Sequence, residues 1–145
     1  KYSILRQAIG GDIIYDFGKS ISFEGDSGPY LQYSYARAKS VLEKAKEEGI
    51  KASAGKTIPA ETFELERLLY RFPEIIERAG KEYSPHYIAS YLIELAGSFN
   101  SFYARYKIVD KEDKTSPYKI AFTTAFASTM KNGLNLLGIQ APEKM

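Results

Sequence analysis

Three times along this chain a proline directly follows a small residue suited to opening a helix: Gly28-Pro29, Ser84-Pro85 and Ser116-Pro117. Proline carries no N–H and holds φ near the helical value, so it belongs in the first turn of a helix and disrupts the interior. Behind each signal the apolar residues step by three and four. Leu31, Tyr35, Ala38, Leu42 and Ala45 form one stripe, which Gly49 is placed to end. Leu65, Leu68, Leu69 and Phe72 mark a second helix that starts near Pro59-Ala60 and is interrupted at Pro73. Ile75, Ile76 and Ala79 continue as a short third. A Ser84 cap opens a fourth, which runs to about Tyr106 with Ala89, Leu92, Ile93, Ala96, Phe99 and Tyr103 on one broad face. So thin an exposed side marks a central helix. The last helix carries Ile120, Thr123, Ala127, Met130, Leu134 and Leu137 to Gly138. Residues 51–59 and 107–114 read as loops. The expected fold class is all-α, an antiparallel bundle of four or five helices over residues 29–145.

Residues 1–28 are of another kind. Ile4 to Ile9 reads as the end of a helix closed by Gly10-Gly11, and Asp12 to Phe23 as extended or irregular chain that packs against something. Glu24 to Gly28 is a turn.

Composition narrows the chemistry. With no cysteine, disulfides and thiolate metal sites are excluded, and a single histidine, His86, excludes a histidine-rich one. Metal ligands and catalytic residues are therefore not expected. A Ser–His–acid arrangement would have to use His86, which follows Ser84-Pro85 in the first turn of a helix, where capping is the simpler role. No apolar run approaches the roughly 18 residues that a membrane span needs. Absence of cysteine fits a reducing compartment, and a cytoplasmic location is expected. The net charge of +2 permits an RNA partner without announcing one.

Short motifs fail on context. Gly18-Lys19-Ser20 resembles the end of a phosphate-binding loop, but Ile13 stands where that loop needs glycine. Asp16-Phe17-Gly18 lacks every other kinase signature, and Gly25-Asp26-Ser27-Gly28 is a turn sooner than a backbone clamp.

The chain's 12 tyrosines and 8 phenylalanines, without one tryptophan, are its odd feature. On a helical wheel Tyr30 and Arg37 point nearly the same way, with Tyr33 beside them on the flank of the apolar stripe. Two tyrosines and an arginine in one patch suit a splayed base and its phosphate. By pattern alone the same tyrosines suit better a boundary that packs on a neighbouring helix.

Gly28-Pro29-Tyr30-Leu31-Gln32-Tyr33, followed by Tyr35-Ala36-Arg37, closely resembles the opening of the DALR-type anticodon-binding domain of arginyl-tRNA synthetases. Glu66 to Pro73 is similar to that family's second helix. Pro85 to Leu92 and Leu95 to Tyr103 resemble its long central helix, and Lys131 to Ile139 with Pro142 to Met145 its last helix and C-terminus. The match runs in the family's order over nearly the whole chain.

The resemblance implies a helical bundle that reads the anticodon loop of tRNA(Arg), joined to a catalytic domain that uses ATP with magnesium. The nucleotide-binding motifs of that domain are not in this sequence, so the chain alone is expected to be inactive in aminoacylation and to hold no cofactor. Residues 1–28 are then a connecting segment from that domain. All arginine anticodons share a central cytosine, so a pocket for the middle base is the economical solution. By resemblance its residues are Tyr30, Tyr33, Arg37 and Met145, with Tyr103 or Tyr106 as a further aromatic contact where other members carry tryptophan. Gln32 points away from Tyr30 and is read as holding its helix to a neighbour. Lys44, Lys51, Lys56, Lys107 and Lys111 are candidates for phosphate contacts, or simply solvated lysines. Two other readings stand beside this one: the anticodon-binding domain of another class I ligase, and a detached bundle acting as a protein-interaction module.

Overall fold

Capping decides where the first long helix begins. Ser27 has extended backbone, and its Oγ accepts the Tyr30 N–H at 3.1 Å while Pro29 fills the first turn. In the computed structural model, which describes residues 1–10, 16–22, 25–55, 57–59 and 62–145, this helix follows two short ones. The order is α1 (Tyr2–Leu5), α2 (Phe17–Ile21), α3 (Gly28–Glu47), α4 (Glu64–Lys81), α5 (His86–Arg105) and α6 (Ser116–Leu136). Among the described residues there is no strand. Gly49 and Gly138, at φ of +72° and +65°, end α3 and α6 in the left-handed conformation that glycine adopts at no steric cost.

The bundle is antiparallel, as its contacts record. Leu92 of α5 meets Gly133 of α6, and Phe99 stacks on Phe126 with centroids 3.9 Å apart, so one helix descends as the other climbs. A Cβ on Gly133 would lie 2.6 Å from Leu92 Cδ2, which is why α6 can approach so closely there. Ser53, just past α3, donates its N–H to Pro117 O at the start of α6, so these two run oppositely as well. A four-residue turn folds α4 back on α5. Helix α5 packs on α1, α3, α4 and α6, and its Leu92, Leu95, Ala96 and Phe99 are fully buried. It is the central helix that its thin polar side foretold.

Five local expectations are corrected. Pro73 lies inside a continuous α4 and does not divide it. Breaking the helix would have cost the burial of Leu65, Leu68 and Ala79 on one unbroken face, and this outweighs the roughly 3 kcal/mol that an interior proline costs. The same helix begins at Glu64, beyond Pro59-Ala60, because the preceding residue, Phe63, is held in extended form by an aromatic cluster. Its ring lies 5.0 Å from Phe102, 5.1 Å from Tyr106 and 6.1 Å from Phe122. Ser84 does not cap α5: its Oγ donates to Glu82 O, and Pro85 takes the capping position. Nor does His86 cap it, since its Nδ1 is buried without a hydrogen bond. Ser116 sits inside the first turn of α6, where its Oγ accepts the Asp110 N–H and donates to Ile108 O, pinning the preceding loop.

The leading segment also differs from expectation. Phe17–Ile21 is a short helix instead of extended chain, because a lone extended stretch leaves its backbone groups unpaired whereas a helical turn satisfies some of its own. Residues 11–15 and 23–24, which complete that stretch, lie outside the described residues. Tyr2 is buried in the bundle itself, and its hydroxyl donates to the Asp26 carboxylate, which also pairs with Arg6 at 3.0 Å.

One ion pair fixes the loop before α6. The buried Lys119 Nζ lies 2.5 Å from Asp113 Oδ2, and Asp113 Oδ1 accepts the Thr115 N–H and hydroxyl at 2.8 and 2.7 Å. Lys119, and after it Thr115, lower the Asp113 pKa from 3.8 to about 2. A carboxyl that titrates lower in the folded chain stabilises fully above its ordinary pKa and loses that contribution as pH falls through the folded value. Between pH 5 and pH 2, wild type is therefore expected to lose up to about 2 kcal/mol more stability than Asp113→Asn. Urea unfolding at both pH values checks this, and parallel losses would show the pair contributes nothing.

Candidate nucleic-acid interface

Tyr30, Tyr33, Ser34 and Arg37 fall on one face of α3 at helical spacing, while Leu31, Tyr35 and Ala38 go into the core. Facing them from α5 are Asn100 and, almost one turn on, Tyr103. The Asn100 carboxamide joins the two helices. Its Oδ1 accepts from Arg37 Nη1 at 2.7 Å, and its Nδ2 donates to Tyr30 Oη and Ser34 Oγ, both at 2.9 Å. Arg37 Nη2 donates to Tyr33 Oη at 3.1 Å. The guanidinium carbon lies 4.6 Å from the Tyr33 ring centre and 5.1 Å from that of Tyr103, within cation–π reach of both.

The C-terminal tail closes the third side. Gln32 Nε2 donates to Gln140 O at 2.8 Å, the tethering role read for Gln32 from its wheel position. Lys39 pairs with Glu143 at 3.3 Å. These bonds lay the tail along α3 and bring Lys144 and Met145 opposite Tyr33. Between them lies an open cleft of about 520 Å³, within the roughly 300–1,000 Å³ of small-ligand sites. Ala36 and Val41 supply its apolar lining, with Arg37, Ser40, Lys44 and Lys144 as polar groups. Tyr33, Tyr103 and Met145 are 40%, 43% and 58% exposed, so each ring keeps surface for a ligand besides the face that Arg37 covers.

The structure thus brings Tyr33, Arg37, Tyr103, Met145 and Lys44 around one cleft. Tyr30 is half-buried beneath it, bonded to Asn100, and is not part of its lining. Tyr106 is elsewhere. The backbone leaves the helix there at φ −119°, and the ring packs on Phe63 and Phe102 at 5.1 and 5.2 Å. Of the candidate phosphate contacts, Lys107 pairs with Asp110 at 2.9 Å and Lys111 with Glu48 at 2.6 Å. Lys51 is exposed in the loop after α3, and Lys56 lies outside the described residues.

Sequence reasoning passed over Asn100, Ser34 and Lys144. Asn100 had a signal: it is an amide four residues beyond Ala96 and three before Tyr103, on a face otherwise apolar. Lys144 had none, because only the tail's path brings it to the cleft.

A family model described as the DALR anticodon binding domain matches residues 31–145. The chain belongs to this family. An arginine–tRNA ligase of Thermococcus kodakarensis is 35% identical over the whole of this chain and 24% of its own length. One from Streptococcus uberis is 42% identical over 90% of the chain and 23% of its own. The solved structure of Thermus thermophilus arginyl-tRNA synthetase superposes with a TM-score of 0.83 at 31% identity, covering 99% of this chain and 25% of that one. The chain therefore spans about a quarter of the length of these relatives. The bundle is the DALR fold. No helix among the described residues is long and apolar enough to cross a membrane.

Proposed function

We propose that this domain recognises the anticodon loop of tRNA(Arg) as part of an arginine–tRNA ligase in the cytoplasm. The observation that carries the reading is the cleft in which Arg37 is held between the exposed rings of Tyr33 and Tyr103. Such a group offers stacking surface and directed donors to one unstacked base, and stacking alone contributes roughly 1–3 kcal/mol. Lys44 and Lys144 on the lining suit the flanking phosphates, whereas Lys107 and Lys111 are already paired. The relatives named as arginine ligases favour arginine over another class I specificity.

On this reading the rest of the ligase supplies the aminoacylation chemistry with ATP and magnesium. The exposed Ile4, Ile9, Phe17 and Ile21 suit the seam with that catalytic part better than they suit water. The test is binding of this chain at low salt to an arginine tRNA and to the same tRNA with its central anticodon cytosine replaced. Replacement is expected to weaken binding by roughly 1–3 kcal/mol, and Tyr33→Ala to do much the same to the cognate RNA. Equal binding of both RNAs would sink the reading. Salt-insensitive capture of a protein partner in their place would favour the interaction-module alternative.

A further inference from the structure

Two partners independently fix which way the Asn100 carboxamide points. Arginine has donors only, so the atom facing Arg37 must be Oδ1. Ser34 spends its hydroxyl proton on Tyr30 O at 2.9 Å, so towards Asn100 it accepts, and Nδ2 must be the atom there. Both partners demand the same orientation, which leaves the amide no freedom to flip. Arg37 is fixed in turn. Asn100 and Tyr33 take two of its five donors and set the guanidinium plane, leaving donors for a ligand.

We propose that Asn100 is the positioning residue of this cleft, and that the Arg37 guanidinium it orients is the group that tells cytosine from uracil. This rests on the anticodon-reading function proposed above. The chemistry is direct: cytosine presents adjacent acceptors, O2 and N3, to a planar pair of N–H donors. Uracil carries a proton on N3 and meets the same donors with a donor of its own. A guanidinium free to rotate could turn away from that clash and would lose the distinction. A fixed one cannot, so the discrimination depends on a side chain that does not line the cleft.

The experiment compares this chain with Asn100→Ala, Asn100→Asp, Arg37→Ala and the Asn100→Ala/Arg37→Ala double variant. Each is titrated with two arginine-tRNA anticodon stem-loops differing only by cytosine or uracil at the central position, below every variant's melting temperature. Wild type is expected to prefer cytosine by about tenfold or more. Asn100→Ala reduces that ratio to about threefold or less, chiefly by weakening the cytosine RNA, and the double variant behaves as Arg37→Ala alone, because one residue acts through the other. Asn100→Asp keeps an acceptor for Arg37, so it weakens both RNAs through the added negative charge but retains the preference.

A second readout is independent of RNA. Arg37 side-chain N–H exchange, followed by NMR, is slow in wild type and Asn100→Asp and fast in Asn100→Ala. Exchange that stays slow in Asn100→Ala, or an undiminished cytosine preference there, overturns the positioning role. A merely structural role would lower the melting temperature and leave the ratio intact. If wild type binds both stem-loops equally, the anticodon reading and the discriminating role of Arg37 fall together. Faster exchange in Asn100→Ala would then still uphold the orienting contact.

Discussion

Phe126→Ala is expected to destabilise the bundle by about 3–5 kcal/mol, the largest effect of any single truncation considered. The ring is fully buried and lies nearly parallel to Phe99, 9° between planes at 3.9 Å. Phe99 is itself fully buried on the central helix, so the stack is the point where α5 and α6 are held together. Removing one ring takes away its transfer free energy and leaves a cavity whose far wall, Phe99, is pinned by its own helix and cannot collapse inwards. One and two turns along, Met130 and Leu134 are also fully buried and have no slack to move in. The loss should appear as a lower urea midpoint with an unchanged slope. A loss below about 1 kcal/mol would mean that the two helices do not meet through this pair.

Arg37→Ala is expected to weaken binding of the cognate stem-loop by about 2–3 kcal/mol, the loss of a charge-assisted contact together with the support of two stacking faces. Stability should fall far less, because Arg37 is only half-buried and water can replace it at Asn100 Oδ1. Arg37→Lys should not restore binding. An ammonium is a point charge and cannot span Asn100 and Tyr33 in one plane as the guanidinium does at 2.7 and 3.1 Å. Fluorescence anisotropy at fixed low salt separates these outcomes. Full binding by the lysine variant would reduce Arg37 to a simple counter-charge for phosphate.

How far the sequence went depended on how local each cause was. The helix stripes were legible because burial imposes a period on every buried helix, and α3, α5 and α6 stand close to where that period put them. Pro73 misled because the local rule against an interior proline was stronger in the sequence than the distant packing that overrides it. Likewise, the start of α4 depends on Phe63 finding Phe102, Tyr106 and Phe122, residues far along the chain. The cleft divides in the same way. Tyr33 and Arg37 could be paired because one helix carries both. Tyr103 could not be separated from Tyr106, since the difference is the point at which the chain leaves α5. Tyr30 has the right direction on the wheel, but Asn100 takes its hydroxyl and holds it below the cleft.

The lining of that cleft has a consequence for how the domain comes into being. Helices α4 and α5 are neighbours in the chain and can pair as soon as both exist, at little cost in loop closure. Tyr33, Tyr103 and Met145 lie far apart in the sequence, so the complete cleft forms only once all three segments have come together. A growing polypeptide on the ribosome can acquire its central hairpin well before it acquires the complete cleft. The wall that Lys144 and Met145 form therefore waits for the segment that Gln32 and Lys39 tie down, after Tyr33 and Tyr103 already stand around Arg37.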